Sequence, residues 1–591
     1  MKKVLALVLA LAMVLSLAAC GGSSSSSTTT SDSDSSAAAD GTTTSDSATN
    51  TDTTTLNINL ASEPAYLDPA LNSSVDGACL AVNSFEGLLT YDADGNLIEG
   101  CAESYEVSDD GLTYTFTMRE GLLWSNGEGL DASDFEYSWR RAADVETAAD
   151  YSYLFEVLAD CQYDEDGNFI GLGDSSVVAS EDGTTLTVTL SAPCPYFLDL
   201  CAFPVFFPVY EETVEANNPD GTTPGGWALD AGDSFVCNGA YVLQSWNHDS
   251  DMTYVKNEYY RDADSVSIET LNFMLSSDDT AIYAAYQSGD LDFIDTIPTD
   301  ELGVLMAAED PELYIIDELG TYYVTLNYNS DLWDELGLSE TDAATFRQAL
   351  CLLIDREYIV DNITQTGQEL ATTFIPAATS DSNGGLFEDG VEYYSVDNYE
   401  ANVEEAKALL ESIGFEFDES GMLTTDVSFT YLTNPSGSNV TIAEAMQADF
   451  ASVGINMTID QQEWNVFLET RKAGDYGVAR GAWVMDYNDP INMLEMWTTN
   501  SGNNDCQFGR DDSAELDWSV YDDLITQIRN TADTAERVTL MREAEDMLMS
   551  TWCVLPIYYY NDSYMMKSNV SGVLATVTGN KYFMYATKTA E

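Results

Sequence analysis

Two kinds of hydrophobic pattern alternate along the chain. Leu56, Ile58 and Leu60 are separated by Asn57 and Asn59, the period-two pattern of a strand with one buried face. Tyr114, Phe116 and Met118 alternate with Thr113, Thr115 and Thr117, and Gly121 ends that strand. Leu186, Val188 and Leu190 repeat the pattern before Pro193 closes it. Between these, residues 132–143 predict a helix with Asp131 or Ser133 as N-cap. The apolar run 82–89 fits a short helix or a strand, and Asp94-Gly95-Asn96 predicts a hairpin turn. In the second half, Phe346, Leu350, Leu353 and Ile354 predict a helix over 345–363. Ile442, Met446, Phe450 and Val453 line one face of another, with Gly454 as its C-cap, and Ile455, Met457 and Ile459 follow as a strand. Residues 536–549 read as helix and 553–560 as extended chain. Strands and helices mixed in this order predict α/β lobes.

The first twenty residues follow another rule. Lys2 and Lys3 precede an apolar run over 4–17, interrupted only by Ser16, which ends in Leu17-Ala18-Ala19-Cys20. This is the layout of a secretory signal, and the run is shorter than the ~20 apolar residues a spanning helix wants. The ending resembles a bacterial lipobox, which implies cleavage after residue 19 and a diacylglycerol on the sulfur of Cys20. Residues 21–55 are almost wholly Gly, Ser, Thr, Asp and Ala, without an aromatic residue. Such a stretch cannot bury enough apolar surface to offset its ordering entropy, so 20–55 is expected to be a tether with a reach of ~30–35 Å.

Composition narrows the partners. The chain has 591 residues, and the body beyond 55 is too long for a single core, so at least two lobes are expected. Its 102 acidic and 20 basic residues leave a net charge of −82. Nucleic acid binding depends on Lys and Arg neutralising phosphates and is excluded, as is adhesion to anionic lipid through surface charge. The field draws cations over roughly a Debye length of ~8 Å. His248 is the only histidine, which excludes a histidine zinc site and a Ser-His-Asp triad. Nine cysteines remain beside Cys20, with no Cys-x-x-Cys pair, and their spacing assigns no disulfides. Asp164, Asp166 and Asn168 have the alternate spacing of a calcium loop, but Gly167 stands at loop position four and Ser175 at twelve. Asp92, Asp94 and Asn96 fail at position six, which is Leu97. Both stretches are read as turns, and no metal or cofactor is expected.

Several segments, in a shared order, carry a resemblance. One runs through Phe116-Thr117-Met118-Arg119-Glu120-Gly121, Trp124, Asn126-Gly127, Ala132-Ser133-Asp134-Phe135 and Ser138-Trp139-Arg140-Arg141. Others are Asn238-Gly239-Ala240-Tyr241 with Trp246 and Asn257-Glu258-Tyr259-Tyr260, and Arg347-Gln348-Ala349-Leu350 with Asp355-Arg356. The sharpest is Arg480-Gly481-Ala482-Trp483-Val484-Met485-Asp486-Tyr487-Asn488-Asp489-Pro490. Together they resemble the peptide/nickel solute-binding family of bacterial ABC importers, and most of all its oligopeptide-binding lipoproteins. The resemblance implies an α/β, two-lobed, periplasmic-binding-protein-like (type II) fold with an extra domain inserted in the first lobe. Lobe I is expected over 56–320 plus 556–591, with the insertion at about 99–228, and lobe II over 321–555. A monomer held on the outer face of the cell membrane, passing its ligand to an ABC permease, is expected.

The resemblance also implies a site. Asp486 falls on the family aspartate that accepts a ligand ammonium, Arg480 on an arginine that meets a ligand carboxylate, and Trp483 on a residue lying against the ligand. The chemistry agrees, because a free peptide carries both terminal charges and an arginine fork suits a carboxylate. In an extended chain six residues would separate the two charges by ~20 Å. Val484 stands where some relatives have a cysteine, so the disulfide those relatives form is absent there. Two other readings remain open: the same fold holding an oligosaccharide or a nickel chelate, and a secreted glycoside hydrolase built on a pair of carboxylates.

Overall fold

The computed structural model describes residues 52–590 apart from 61, 166, 382–384, 389, 436 and 512–515. The signal segment 1–19, Cys20, most of the 20–55 tether and Asp166 lie outside the described residues.

The alternating segments assemble into one ten-stranded sheet in two halves. Its order is Tyr241–Asn247, Asp251–Lys256, Thr270–Leu275, Thr55–Leu60, Phe293–Ile294, Val554–Met566, Leu313–Leu326, Val478–Val484, Val427–Thr433 and Ile455–Gln461. Two long antiparallel strands, Leu313–Leu326 and Val554–Met566, hold the halves together. Phe293 and Ile294 pair with Met566 and Met565 at one end, and residues 320–326 pair with Val478–Val484 at the other. Where the halves meet, the pairing slips: Asp317 faces Asn561 and Thr321 faces Tyr559, so Glu318, Leu319 and Gly320 oppose Tyr560 alone. A bulge of this kind bends a strand and re-aims its side chains.

A separate four-stranded sheet, ordered Ala102–Val107, Thr113–Met118, Thr185–Thr189 and Val177–Ala179, packs against the helix Ala132–Ala143. The Asp131 side chain caps that helix by accepting from Ser133 N at 2.8 Å, and Asp134 returns to Asp131 N at 2.8 Å. Trp139 and Phe135 on its inner face are fully buried.

The strands at 55–60, 113–118, 185–189 and 455–461 and the helices at 439–451 and 534–550 form where the periodicity places them. Three details differ. The run 82–89 is split: Val82, Asn83 and Ser84 close the helix Val75–Ser84 and Leu89 opens the strand Leu89–Tyr91. Gly87 makes the passage, since a Cβ there would stand 2.3 Å from Cys201 O. The predicted helix 345–363 is three pieces, Glu340–Leu352, Arg356–Ile359 and the wider turn Val360–Thr364. Asp355 breaks it by accepting from Tyr358 N at 3.0 Å and starting a new cap. The helix Asn439–Ala451 ends at Ser452, and Gly454 follows with φ +92° as the chain turns into its strand.

The Asp92 carboxylate accepts from Asp94 N, Asn96 N and Asn96 Nδ2, folding its loop into the hairpin between Leu89–Tyr91 and Leu97–Glu99. Asp164 accepts from Asn168 in the same way. All nine cysteines of the described residues are free thiols, seven of them buried.

Candidate functional site

A cavity of about 540 Å³ opens where the two halves of the molecule face each other, and Arg480, Trp483 and Asp486 all line it. The strand Val478–Val484 delivers the first two. Arg480, Ala482 and Val484, at period two, present one face to the cavity. Gly481 between them is buried under the Tyr323 ring, where a Cβ would come within 2.2 Å of the ring carbons.

Arg480 is held without being neutralised. Its Nε donates to Asn439 Oδ1 at 3.0 Å, and its guanidinium sits 5.3 Å from the centroid of the Tyr322 ring. The other two bases on the cavity wall are paired, Arg471 with Asp505 at 2.8 Å and Lys472 with Asp150. No carboxylate among the described residues pairs with Arg480, so the cavity keeps a guanidinium ready for an anion.

Asp486 lies just past the strand, on a pinned loop. Asn492 Oδ1 accepts from Asp486 N at 3.2 Å and from Trp483 Nε1 at 3.1 Å, while Asn492 Nδ2 donates to Asp486 Oδ2 at 2.9 Å. Farther on, Asp489 is buried in a two-pronged pair with Arg537, both contacts 2.7 Å, and Asn488 Oδ1 accepts from Ser380 N at 2.9 Å. The Asp-Tyr-Asn-Asp-Pro run is therefore a braced element. From across the cleft, the Tyr151 hydroxyl donates to Asp486 Oδ1 at 3.2 Å, and its ring lies 6.1 Å from that of Trp483. Burial pushes the Asp486 carboxyl up to about 7, against the hydrogen bonds from Asn492 and Tyr151 and with Glu495 adding repulsion. No cation among the described residues pairs with it. One cavity thus contains a carboxylate and a guanidinium, each hydrogen-bonded and neither charge-neutralised.

Residues 96–505 match the family described as bacterial extracellular solute-binding proteins, family 5, in its middle region. The oligopeptide-binding protein OppA of Bacillus subtilis is 32% identical over 539 residues, covering 89% of this chain and 91% of that protein. The chain belongs to this family. It is a solute-binding protein, not an enzyme, which removes the glycoside hydrolase reading.

Solved structures share the whole fold. OppA of Haemophilus influenzae in complex with RPPGFSPFR superposes with a TM-score of 0.77 at 25% identity, over 91% of this chain and 100% of that one. The murein tripeptide binding protein MppA of Escherichia coli gives 0.78 at 26% identity, over 91% and 98%. The likeness falls to 0.57 against the unliganded open form of MppA. The family fold is thus the two-lobed α/β one, and here the lobes are drawn together. Besides Tyr151 and Asp486, contacts across the cleft include Lys472 with Asp150 and with Ser73 Oγ at 3.1 Å, and Arg529 with Glu156 at 2.5 Å. Tyr196 and Tyr487 stack with centroids 4.4 Å apart and planes 4° from parallel.

The structure brings Arg480, Trp483 and Asp486 to one cavity. Cys20 lies outside the described residues. Sequence reasoning missed Tyr151, Asn439 and Asn492, which hold the charged pair, because an isolated Tyr or Asn gives no signal until folding places it. It also missed Asp295 and Glu318 on the cavity wall, two acids among 102.

Proposed function

We propose that this protein captures short peptides in the interlobe cleft and presents them to an ABC permease while lipid-anchored through Cys20. Asp486 takes the peptide ammonium, Arg480 takes a carboxylate, and Trp483 lies along the chain between. The observation that carries this reading is the coexistence in one cavity of an unneutralised Asp486 carboxylate and an unneutralised Arg480 guanidinium. Buried charges are costly unless paired, so the complementary ligand brings one charge of each sign. A neutral sugar would leave both unpaired.

The relatives support the ligand class: two bear the names oligopeptide-binding and murein tripeptide binding protein, and one structure holds a nonapeptide. Closing of the lobes around a ligand is a hinge motion, which makes loaded and empty forms distinguishable to a membrane partner. Mass spectrometry of small molecules released by denaturing the purified protein tests the reading. Peptides with free termini are the expected release. Sugars or metal chelates in their place, with no calorimetric response to added peptides, would overturn it.

A further inference from the structure

The cavity wall carries more negative charge than the terminal-charge scheme uses. Asp295 follows the strand Phe293–Ile294, Asp76 lies in the first turn of Val75–Ser84, and Glu318 stands in the bulge opposite Tyr560. All three line the cavity. Asp76 accepts from Ser62 Oγ at 3.1 Å. The nearby cation, Lys581, is buried and already paired with Asp562 at 3.0 Å. Asp295 and Glu318 have neither an ion pair nor a side-chain hydrogen bond among the described residues, and Asp295 Oδ1 is sealed from solvent without a partner.

The wall around Glu318 mixes apolar and acidic groups. Val75 and Val484 line the cavity with Glu318. The three converge on Gly579, where a Cβ would stand 2.8 Å from Glu318 Oε1, 3.4 Å from Val75 Cγ1 and 3.6 Å from Val484 Cγ1, so no side chain of this chain fits between them. Apolar sides and carboxylates at the end suit a long aliphatic stem with a cationic tip. No three His, Cys, Asp or Glu among the described residues gather closely enough to hold a metal ion, so the spread of these acids fits an organic cation.

We propose that Glu318 and Asp295 form a subsite for the ammonium or guanidinium of a basic side chain, lysine or arginine, on the bound ligand. The proposal rests on the peptide reading for the rest of that ligand. Burial, with Asp562 adding repulsion, pushes the Glu318 carboxyl up, and burial holds Asp295 at about 6 despite the attraction of Lys581. An arriving cation relieves both. The acidic exterior, with 102 acids against 20 bases, favours the same ligands on approach.

The test is calorimetric titration of alanine-based tri- to pentapeptides carrying lysine or norleucine, which keeps the four-carbon stem without the ammonium, at each position in turn. At one position lysine should bind the wild type at least about tenfold more tightly than norleucine, ~1.4 kcal/mol. That advantage should shrink below about threefold in the Glu318→Gln, Asp295→Asn double variant; Glu318→Gln alone serves if the double variant fails to fold. A second arm titrates 1,5-diaminopentane against tryptophan fluorescence in the same proteins. Peptides that bind with no preference for lysine anywhere overturn the subsite and leave the peptide reading standing. If no peptide binds, the peptide reading falls and the diamine decides: binding that weakens in the variant supports the subsite, and its absence overturns it.

Discussion

Asp486 should control which ligands can close the cleft, through the cost of burying it alone. In the closed form its carboxyl titrates at about 7 rather than at the ordinary 3.8. Opening the lobes returns it to water. Closure therefore carries a penalty that is absent below about pH 4, grows as pH rises toward the raised value, and is complete above about pH 7. The rise from 3.8 to about 7, at ~1.4 kcal/mol for each pH unit, sets an upper limit of ~4 kcal/mol. A ligand ammonium cancels this penalty, whereas an N-acetylated peptide incurs all of it. Asp486→Asn removes the charge but loses about one hydrogen bond, roughly 1 kcal/mol. The Asn492 amide cannot simply flip to compensate, because its oxygen already accepts from Asp486 N and Trp483 Nε1. At pH 8 the variant should thus bind N-acetyl peptide more tightly than the wild type by up to about 3 kcal/mol, on the order of 100-fold. The same variant should bind free-amine peptide at least about 100-fold more weakly, since breaking a buried charge pair costs ~3–5 kcal/mol. Near pH 5 closure need only protonate the wild-type carboxyl, at a cost of ~1.7 kcal/mol, and the advantage with acetylated peptide should shrink to about threefold. Calorimetry of both proteins with both peptides at pH 8 and 5 gives the full cycle. Equal affinities of the two proteins for acetylated peptide at pH 8, or a difference that ignores pH, would refute the reasoning.

Three further outcomes are expected. Arg480→Lys loses the planar fork and the contact with Asn439, and should weaken free-acid peptides by about tenfold while C-terminal amides lose less, by calorimetry; equal losses would remove Arg480 from carboxylate recognition. Arg537→Ala removes the two-pronged ion pair from the buried Asp489 carboxylate and should lower stability by ~3–5 kcal/mol in urea unfolding, with weaker peptide binding because the Asp486 loop loses its brace; a change under about 1 kcal/mol would contradict that role. Cys20→Ser should release the protein into the medium or leave it unprocessed, and unchanged membrane retention after normal processing would sink the lipid anchor.

The strands were readable wherever one face meets solvent. Leu56 and Ile58, or Tyr114, Phe116 and Met118, alternate because every second side chain points into the core. Helix continuity was less readable. The apolar spacing of 345–363 runs straight through Asp355, whose side chain captures Tyr358 N and restarts the chain. Periodicity records which face is buried, not whether the backbone between is unbroken. The split of 82–89 has the same origin, since the helix ends there to let Gly87 pass Cys201.

At the site, local sequence placed Arg480, Trp483 and Asp486 within seven consecutive positions, so one strand and the turn after it carry them together. Charge excess, the lone histidine and the alternation of strands and helices are likewise properties of the chain itself, and they determined the fold class and the chemistries excluded. The tertiary structure decided everything that depends on what arrives from far along the chain. Tyr151 reaches Asp486 across 335 positions, and Asn439 reaches Arg480 across 41. The bulge that turns Glu318 into the cavity exists only because two long strands slip in register while crossing between lobes. A carboxylate in the sequence is just an acid; burial beside Tyr151 and Asn492, with no paired cation among the described residues, is what pushes the Asp486 carboxyl up to about 7.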